Sequence, residues 1–140
     1  MIGGADVFLD TNILLYAATA RLDSPGKWEI AYGLLTTPFG TSGQVLGEFY
    51  ANAVRKGSKP LDDFEARRWV ELLSQKPFVP VDANLVRKAI ELKTRYQISY
   101  WDAAIVAAAE KLGAGTLYSE DLNHGQIYGA VKVINPFLQS

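Results

Sequence analysis

Four acidic residues stand in stretches of the sequence where carboxylates are uncommon: Asp10, Glu48, Asp102 and Asp121. Asp10 ends the apolar run of residues 7–9, and Asp102 lies among apolar and small residues in SYWDAAIVAAA. A carboxylate among apolar neighbours must be paired, protonated or bound to a metal ion, because burying it bare costs several kcal/mol. Few basic residues lie near these acids in the sequence. The four acids therefore indicate a metal site.

Composition narrows the classes of protein that could carry such a site. The chain has 140 residues, of which 49% are hydrophobic, and this predicts one domain over residues 1–140. Without cysteine and with a single histidine, it has no disulfides, no cysteine nucleophile and no two-histidine zinc centre. The net charge of −1 means that contact with a nucleic acid would require a local patch.

The expected location of the chain is the cytoplasm. Its start, MIGGADVFLDTN, has neither a basic segment nor a long apolar segment of the kind found in signal peptides. No apolar run approaches the roughly 18 to 20 residues of a membrane span.

Apolar strand-like runs alternate with helical patterns, which predicts an α/β fold with a parallel sheet and right-handed crossovers. The predicted strands are residues 7–9, 39–41, 78–81, 116–119 and 131–134, with a loop at 121–129. The predicted helices are residues 12–20, 25–37, 42–56, 61–74, 84–96 and 100–112. Gly57 is expected to close the third helix. Phe64, Trp69, Leu72 and Leu73 are expected to be the inward side of the fourth.

The predicted elements bring most of the acids to one edge of the sheet. Sites in open parallel sheets lie beyond the carboxyl ends of the strands. Asp10 and Asp121 follow such ends, and Glu48 lies in a helix that starts at one. Asp102 lies about one turn into its helix, where the helix dipole favours an anion. Its position at the same edge is not dictated, since a helix rather than a strand precedes it.

These residues resemble the PIN domain, a family of metal-dependent nucleases that includes VapC-type toxins. The resemblance spans nearly the whole chain and rests on Asp10-Thr11-Asn12, Glu48, Asp102-Ala103-Ala104, Ser119-Glu120-Asp121, residues 119–125 and residues 133–137. It implies a PIN-like three-layer fold, with a central parallel sheet of four to five strands between helices. It also implies an endoribonuclease, the toxin of a type II toxin–antitoxin pair, that forms a homodimer and binds a cognate antitoxin.

The same resemblance implies roles for the residues of the site. Asp10 and Asp102 would bind Mg²⁺ or Mn²⁺ directly, and Glu48 and Asp121 would do so directly or through water. Asn12 and Ser119 would hold these groups by hydrogen bonds. Such hard cations prefer oxygen ligands, polarise a phosphodiester and lower the pKa of a bound water. Hydrolysis by water needs no 2′-hydroxyl, so the preference for RNA rests on the resemblance alone. The family pattern favours Asp121 over Glu120 as the inward acid.

Three of the four acids also have a structural interpretation when taken alone, whereas Asp102 is harder to explain in this way among its apolar neighbours. Asp10 could be a helix N-cap, Glu48 a surface acid and Asp121 a turn residue. A loop histidine such as His124 is more often structural than functional. Three further acids are interpreted as helix-start residues: Asp62, Asp63 and Asp82. Six basic residues could form a phosphate-facing patch or solvated helix faces: Arg67, Arg68, Arg87, Lys88, Lys93 and Arg95.

Other functional classes are less consistent with the sequence. A phospho-receiver domain, with Asp82 as acceptor, would need paired acids after the first strand. An aspartyl phosphatase would need an acid at position 12, which is asparagine. No phosphate-binding loop or dinucleotide fingerprint occurs, and a serine triad would have only His124 available. A housekeeping nuclease or an RNA-binding module with the PIN fold remain open as alternatives.

The early predicted helices carry large apolar residues beyond what one sheet face needs: Tyr16, Trp28, Tyr32 and Phe49. Exposed apolar patches commonly mark interfaces, so this excess predicts a surface for self-association or for a partner.

Overall fold

The computed structural model describes residues 4–138, and the first three and last two residues of the predicted domain lie outside this range. The strands are β1 Val7–Leu9, β2 Phe39–Ser42, β3 Phe78–Val79, β4 Thr116–Tyr118, β5 Ile127–Tyr128 and β6 Val131–Ile134. The helices are α1 Thr11–Thr19, α2 Pro25–Leu34, α3 Gly43–Ala53, α4 Asp63–Ser74, α5 Ala83–Tyr96 and α6 Tyr100–Leu112. Over residues 4–138, none of the helices has both the length and the apolar character of a membrane span.

The strands form one sheet in the order β3-β2-β1-β4-β6-β5. Every pair is parallel except β5 with β6. The connections from β1 to β2 and from β2 to β3 run in one direction along the sheet, and the connection from β3 to β4 runs back. Right-handed crossovers therefore place α1 to α4 on one face and α5 and α6 on the other. The predicted α/β class with helices flanking a mostly parallel sheet is confirmed.

The sheet has one strand more than the upper number predicted, because residues 121–129 are not all loop. Ile127–Tyr128 pairs with Val131–Ile134 as an antiparallel hairpin. Gly129 makes the turn with a φ of 60°, and its N–H donates to the hydroxyl of Tyr96 at 2.7 Å. Tyr128 is buried and packs edge-on against Tyr96. Two residues are too short a run to show the alternation by which strands are recognised.

The prediction of which residues of α4 face inward is partly wrong. Leu73 is buried and Trp69 packs against the ring of Phe49, but Phe64 is 74% exposed and Leu72 is 54% exposed. Successive residues turn by about 100° around a helix, so position 64 lies about 160° from the buried Ala66 and faces solvent. Apolar character alone did not identify the buried face.

Ten of the twelve helix ends lie within two residues of the predicted positions, whereas α2 ends at Leu34 and α3 at Ala53, three residues earlier than predicted. Asp62 and Asp82 cap α4 and α5 by accepting from the N–H groups of Glu65 and Leu85, as expected of helix-start acids. Gly57 does not close α3, which ends at Ala53. It lies in the following loop with a φ of 90°.

The core of the molecule is centred on α6, which contacts β1, β2, β3, β4 and β6. Residues 103–109 of this helix are all buried, and five of these seven are alanine. Small side chains let the helix axis approach the sheet closely, so the start of α6 is held firmly in place. Residues 113–115 then reverse the chain into β4. The N-terminus of α6 consequently lies at the carboxyl end of β4.

Candidate active site

The candidate site lies where the strand order reverses, between the carboxyl ends of β1 and β4. Asp10 follows β1 and caps α1, and its carboxylate accepts from the N–H of Thr11 at 2.7 Å. Ser119 follows β4 and is fully buried. Its hydroxyl donates to Asp10 at 2.7 Å and accepts from the N–H of Asp121 at 3.1 Å. Ser119 therefore connects the two strand ends and fixes two of the predicted acids relative to each other.

The remaining acids reach the same place from helices. The hydroxyl of Thr11 donates to Glu48 at 2.8 Å, which holds the acid of α3 against the start of α1. The amide of Asn12 donates to Asp121 at 3.3 Å. Asp102 lies in the first turn of α6, whose N-cap is Ser99.

All four predicted acids line one cavity of about 120 Å³, which we call the acid cavity. Its other lining residues are Thr11, Asn12, Gln44, Asn52, Trp101 and Ile105. Asp102, whose position the sequence did not dictate, is thus brought to the same edge by the reversal of the chain between α6 and β4.

The acid cavity is strongly unfavourable for negative charge. Burial raises the pKa of Asp10 from its ordinary value of 3.8 to about 6, against the lowering effect of its bonds from Ser119 and Thr11. Burial also raises the pKa of Asp121, and the nearby charges of Asp102, Glu120 and Glu48 raise it further. Within residues 4–138, no side chain lining this cavity is a lysine or an arginine. The cavity concentrates carboxylates without an internal counter-charge.

A divalent cation fits this site by donor chemistry, since four carboxylates and the nearby amide oxygens are hard oxygen ligands. Among the described residues, however, no three acidic or histidine side chains are close enough together to hold an ion. Hydrogen bonds already engage three of the four carboxylates: Ser119 and Thr11 donate to Asp10, Thr11 donates to Glu48, and Asn12 donates to Asp121.

Glu120 faces away from the acid cavity. Its carboxylate accepts from the hydroxyl of Tyr16 and from Lys27, the latter at 2.9 Å. The ammonium group of Lys27 also lies over the rings of Tyr16 and Phe137. Of the two neighbouring acids, Asp121 is the one that lines the cavity.

His124 and the basic residues have structural contacts. The ring of His124 accepts from the N–H of Asn135 at 3.0 Å, which holds the loop before β5. Arg67 pairs with Asp63 at 2.7 Å, and Lys88 lies 3.4 Å from Glu110. His124, Arg67 and Lys88 do not line the acid cavity.

Five lining residues were not identified from the sequence: Thr11, Gln44, Asn52, Trp101 and Ile105. Thr11 lies inside the Asp-Thr-Asn motif, and its hydroxyl, which can donate to a carboxylate, is the signal in the sequence that could have identified it. Asn52 lies one helical turn after Glu48 and donates to its carbonyl at 2.8 Å. Gln44 and Trp101 can be identified as lining residues only when it is known that the starts of α3 and α6 lie next to each other.

Comparison with protein families matches the PIN domain over residues 7–130, and the chain belongs to the PIN domain family. This confirms the resemblance inferred from the acidic motifs, and it excludes the receiver-like alternative. A comparison with curated proteins gave no significant match.

Solved structures with the same fold include several toxins and toxin complexes. The Mycobacterium tuberculosis toxin VapC20, described as cleaving the sarcin-ricin loop, is 24% identical with a TM-score of 0.63, covering 82% of this chain and 89% of that one. VapBC2 from Rickettsia felis, bound to a promoter DNA fragment, is 22% identical with a TM-score of 0.61, covering 91% and 96%. A toxin–antitoxin complex from Klebsiella pneumoniae is 17% identical with a TM-score of 0.67, covering 93% and 97%.

Proposed function

We propose that this chain is a divalent-metal-dependent endoribonuclease and the toxin of a toxin–antitoxin pair. The observation that carries the proposal is the convergence of four carboxylates on one cavity that no lysine or arginine lines within the described residues. Membership of the PIN domain family and the toxins among structures of the same fold support it. A nuclease acting on cellular RNA would work in the cytoplasm.

In this proposal Asp10, Glu48, Asp102 and Asp121 hold one or two Mg²⁺ or Mn²⁺ ions. When bound, such an ion polarises the phosphodiester and makes water a better nucleophile. The chain itself orients the ligands. Ser119 holds the carboxylate of Asp10 at the end of β1, and Thr11 holds Glu48.

Asn12 holds Asp121 in the same cavity. Because burial raises the pKa of Asp10, a bound cation would favour its ionised form, and ligand binding and proton release would be coupled. Cation affinity should therefore increase as the pH rises through about 6.

The proposal is tested by incubating purified protein with labelled RNA and Mg²⁺ or Mn²⁺. We expect cleavage that EDTA stops and that leaves 5′-phosphate and 3′-hydroxyl ends. Asp102→Asn should be inactive, whereas Asp62→Asn, a change in the exposed cap of α4, should cleave like the wild type. Cleavage that persists in EDTA, or products with 2′,3′-cyclic phosphates, would contradict the mechanism.

The antitoxin partner is proposed to bind an apolar groove of about 520 Å³ between α2 and α4. Its lining includes Tyr32, which is 50% exposed, and Leu72, which is 54% exposed. The large residues of the early helices contribute less to this surface than the sequence predicted. Phe49 is in the core, and Tyr16 contacts Glu120.

An antitoxin encoded next to this chain should inhibit RNA cleavage, and Leu72→Glu should weaken that inhibition without lowering cleavage. The homodimer stays a prediction. Light scattering at tens of micromolar would test it, and a monomer that crosslinking does not convert to an oligomer would contradict it.

A further inference from the structure

Trp101 is unusual among the apolar residues of α6 because it is exposed. The residue is 63% exposed, whereas residues 103–109 of α6 are buried. It is also more exposed than the other two tryptophans, Trp28 and Trp69. Exposure of a large flat apolar side chain is unfavourable in water unless a ligand covers it.

The position of Trp101 is fixed relative to the acids. It directly precedes Asp102, and the Gln44 side chain donates to its carbonyl at 3.3 Å, joining the starts of α3 and α6. The ring of Tyr100 lies edge-on to the indole, with centroids 5.0 Å apart. These contacts hold the residue at the mouth of the acid cavity.

Trp101 also lines a second, mostly apolar cavity of about 220 Å³, which we call the side cavity. The side cavity shares Trp101 and Gln44 with the acid cavity. Its remaining lining residues are Gly43, Val81, Leu85, Val86, Tyr100 and Ala104. Among the described residues, no lysine or arginine lines either cavity. Within these two cavities, groups other than lysine and arginine must therefore contact the RNA.

Building on the proposed function, we propose that Trp101 stacks on an unpaired nucleobase next to the phosphate held at the acid cavity. The base would lie against the indole and enter the side cavity, where the amide of Gln44 is within reach of its polar edge. Aromatic stacking suits cavities that no basic residue lines, because every base presents an apolar face whatever the charge of its phosphate. The substrate class that follows is RNA with a single-stranded segment at the cleavage site.

The proposal is tested by binding of fluorescently labelled single-stranded RNA, measured by anisotropy both in EDTA and with Mg²⁺. Trp101→Ala should weaken binding by about 5- to 150-fold, the range expected for losing one stacked base. Trp101→Phe should recover most of the affinity, because it keeps an aromatic face. Phe64→Ala removes an aromatic ring that is 74% exposed on α4 and should bind like the wild type.

A series of RNAs with one abasic nucleotide at successive positions identifies the stacked base. At one position the wild type should lose as much affinity as Trp101→Ala does, and the two changes combined should cause no further loss. Equal RNA binding by Trp101→Ala and wild type, or additive losses at every position, would overturn the proposal. So would a Trp101→Ala variant whose only change is dissociation of a dimer in light scattering. Binding that depends on Trp101 without any cleavage would instead refute the nuclease function and leave the stacking site standing.

Discussion

Replacing Asp10 by asparagine should stabilise the metal-free protein at neutral pH. Asp10 is only 6% exposed, and burial raises its pKa from 3.8 to about 6. That difference is roughly two pKa units, which at about 1.36 kcal/mol per unit corresponds to about 3 kcal/mol. Asparagine has the shape of the protonated acid and can still accept from the N–H of Thr11. The gain in the free energy of unfolding should therefore approach about 3 kcal/mol in EDTA at pH 7.5.

The pH dependence of this gain has a definite sign. Because the pKa of Asp10 is higher in the folded than in the unfolded chain, the folded state binds more protons between about pH 4 and pH 6. The wild type should lose stability relative to Asp10→Asn as the pH rises through this window. The difference in the free energy of unfolding between the two proteins should reach its full value above about pH 6 and vanish near pH 4.

Urea denaturation of both proteins in EDTA at several pH values measures this difference. Asp62→Asn replaces an exposed acid and should follow the wild type at every pH. An Asp10→Asn variant no more stable than the wild type at pH 7.5 would refute the argument. A gain that does not change between pH 4 and pH 7.5 would do the same, since it could not come from ionisation of Asp10.

Three further predictions concern the other residues of the acid cavity. Millimolar Mg²⁺ or Mn²⁺ should stabilise the wild type by about 1.4 kcal/mol at roughly ten times Kd, and thermal melts of Asp102→Asn should show little of this gain. RNA cleavage assays should show that Asp121→Asn is inactive. Glu120→Gln should retain most activity, because the side chain of Glu120 faces Lys27. An inactive Glu120→Gln beside an active Asp121→Asn would mean that the inward acid is misassigned. Ser119→Ala should lower the free energy of unfolding at pH 7.5 by about 1 to 3 kcal/mol, because a buried carboxylate loses a hydrogen bond; denaturation curves identical to those of the wild type would contradict this.

The parts of the fold that the sequence predicted are those with local causes. Buried strands such as Val7–Leu9 are short apolar runs bounded by polar residues, and α5 shows a clear apolar stripe over Ala83–Tyr96. Asp10 follows a buried strand directly, and Asp121 comes soon after another. Their approach to one edge therefore required only the rule for parallel sheets.

The parts that could not be predicted depend on contacts between distant residues. Asp102 reaches the cavity because residues 113–115 reverse the chain after α6, which no pattern around Asp102 encodes. The strand Ile127–Tyr128 forms because it pairs with β6 and because the hydroxyl of Tyr96 accepts a hydrogen bond from the turn that follows it. The orientation of Glu120 is set by Lys27, which is 93 residues away in the chain.

The alanine-rich inner side of α6 should govern how this protein tolerates mutation. Asp102 has no strand end to fix it, so its position depends on how closely a helix of small side chains sits on the sheet. A larger residue at buried Ala103 or Ala107 would push that helix outward, at a cost of about 1 to 3 kcal/mol. Deep mutational scanning would then find alanines, such as Ala103 and Ala107, at which larger residues lower activity although these positions touch neither metal nor substrate. In such a map, substitutions in α6 would lower activity as much as substitutions of the acids, although Asp102 is the only charged residue of α6 that lines the acid cavity.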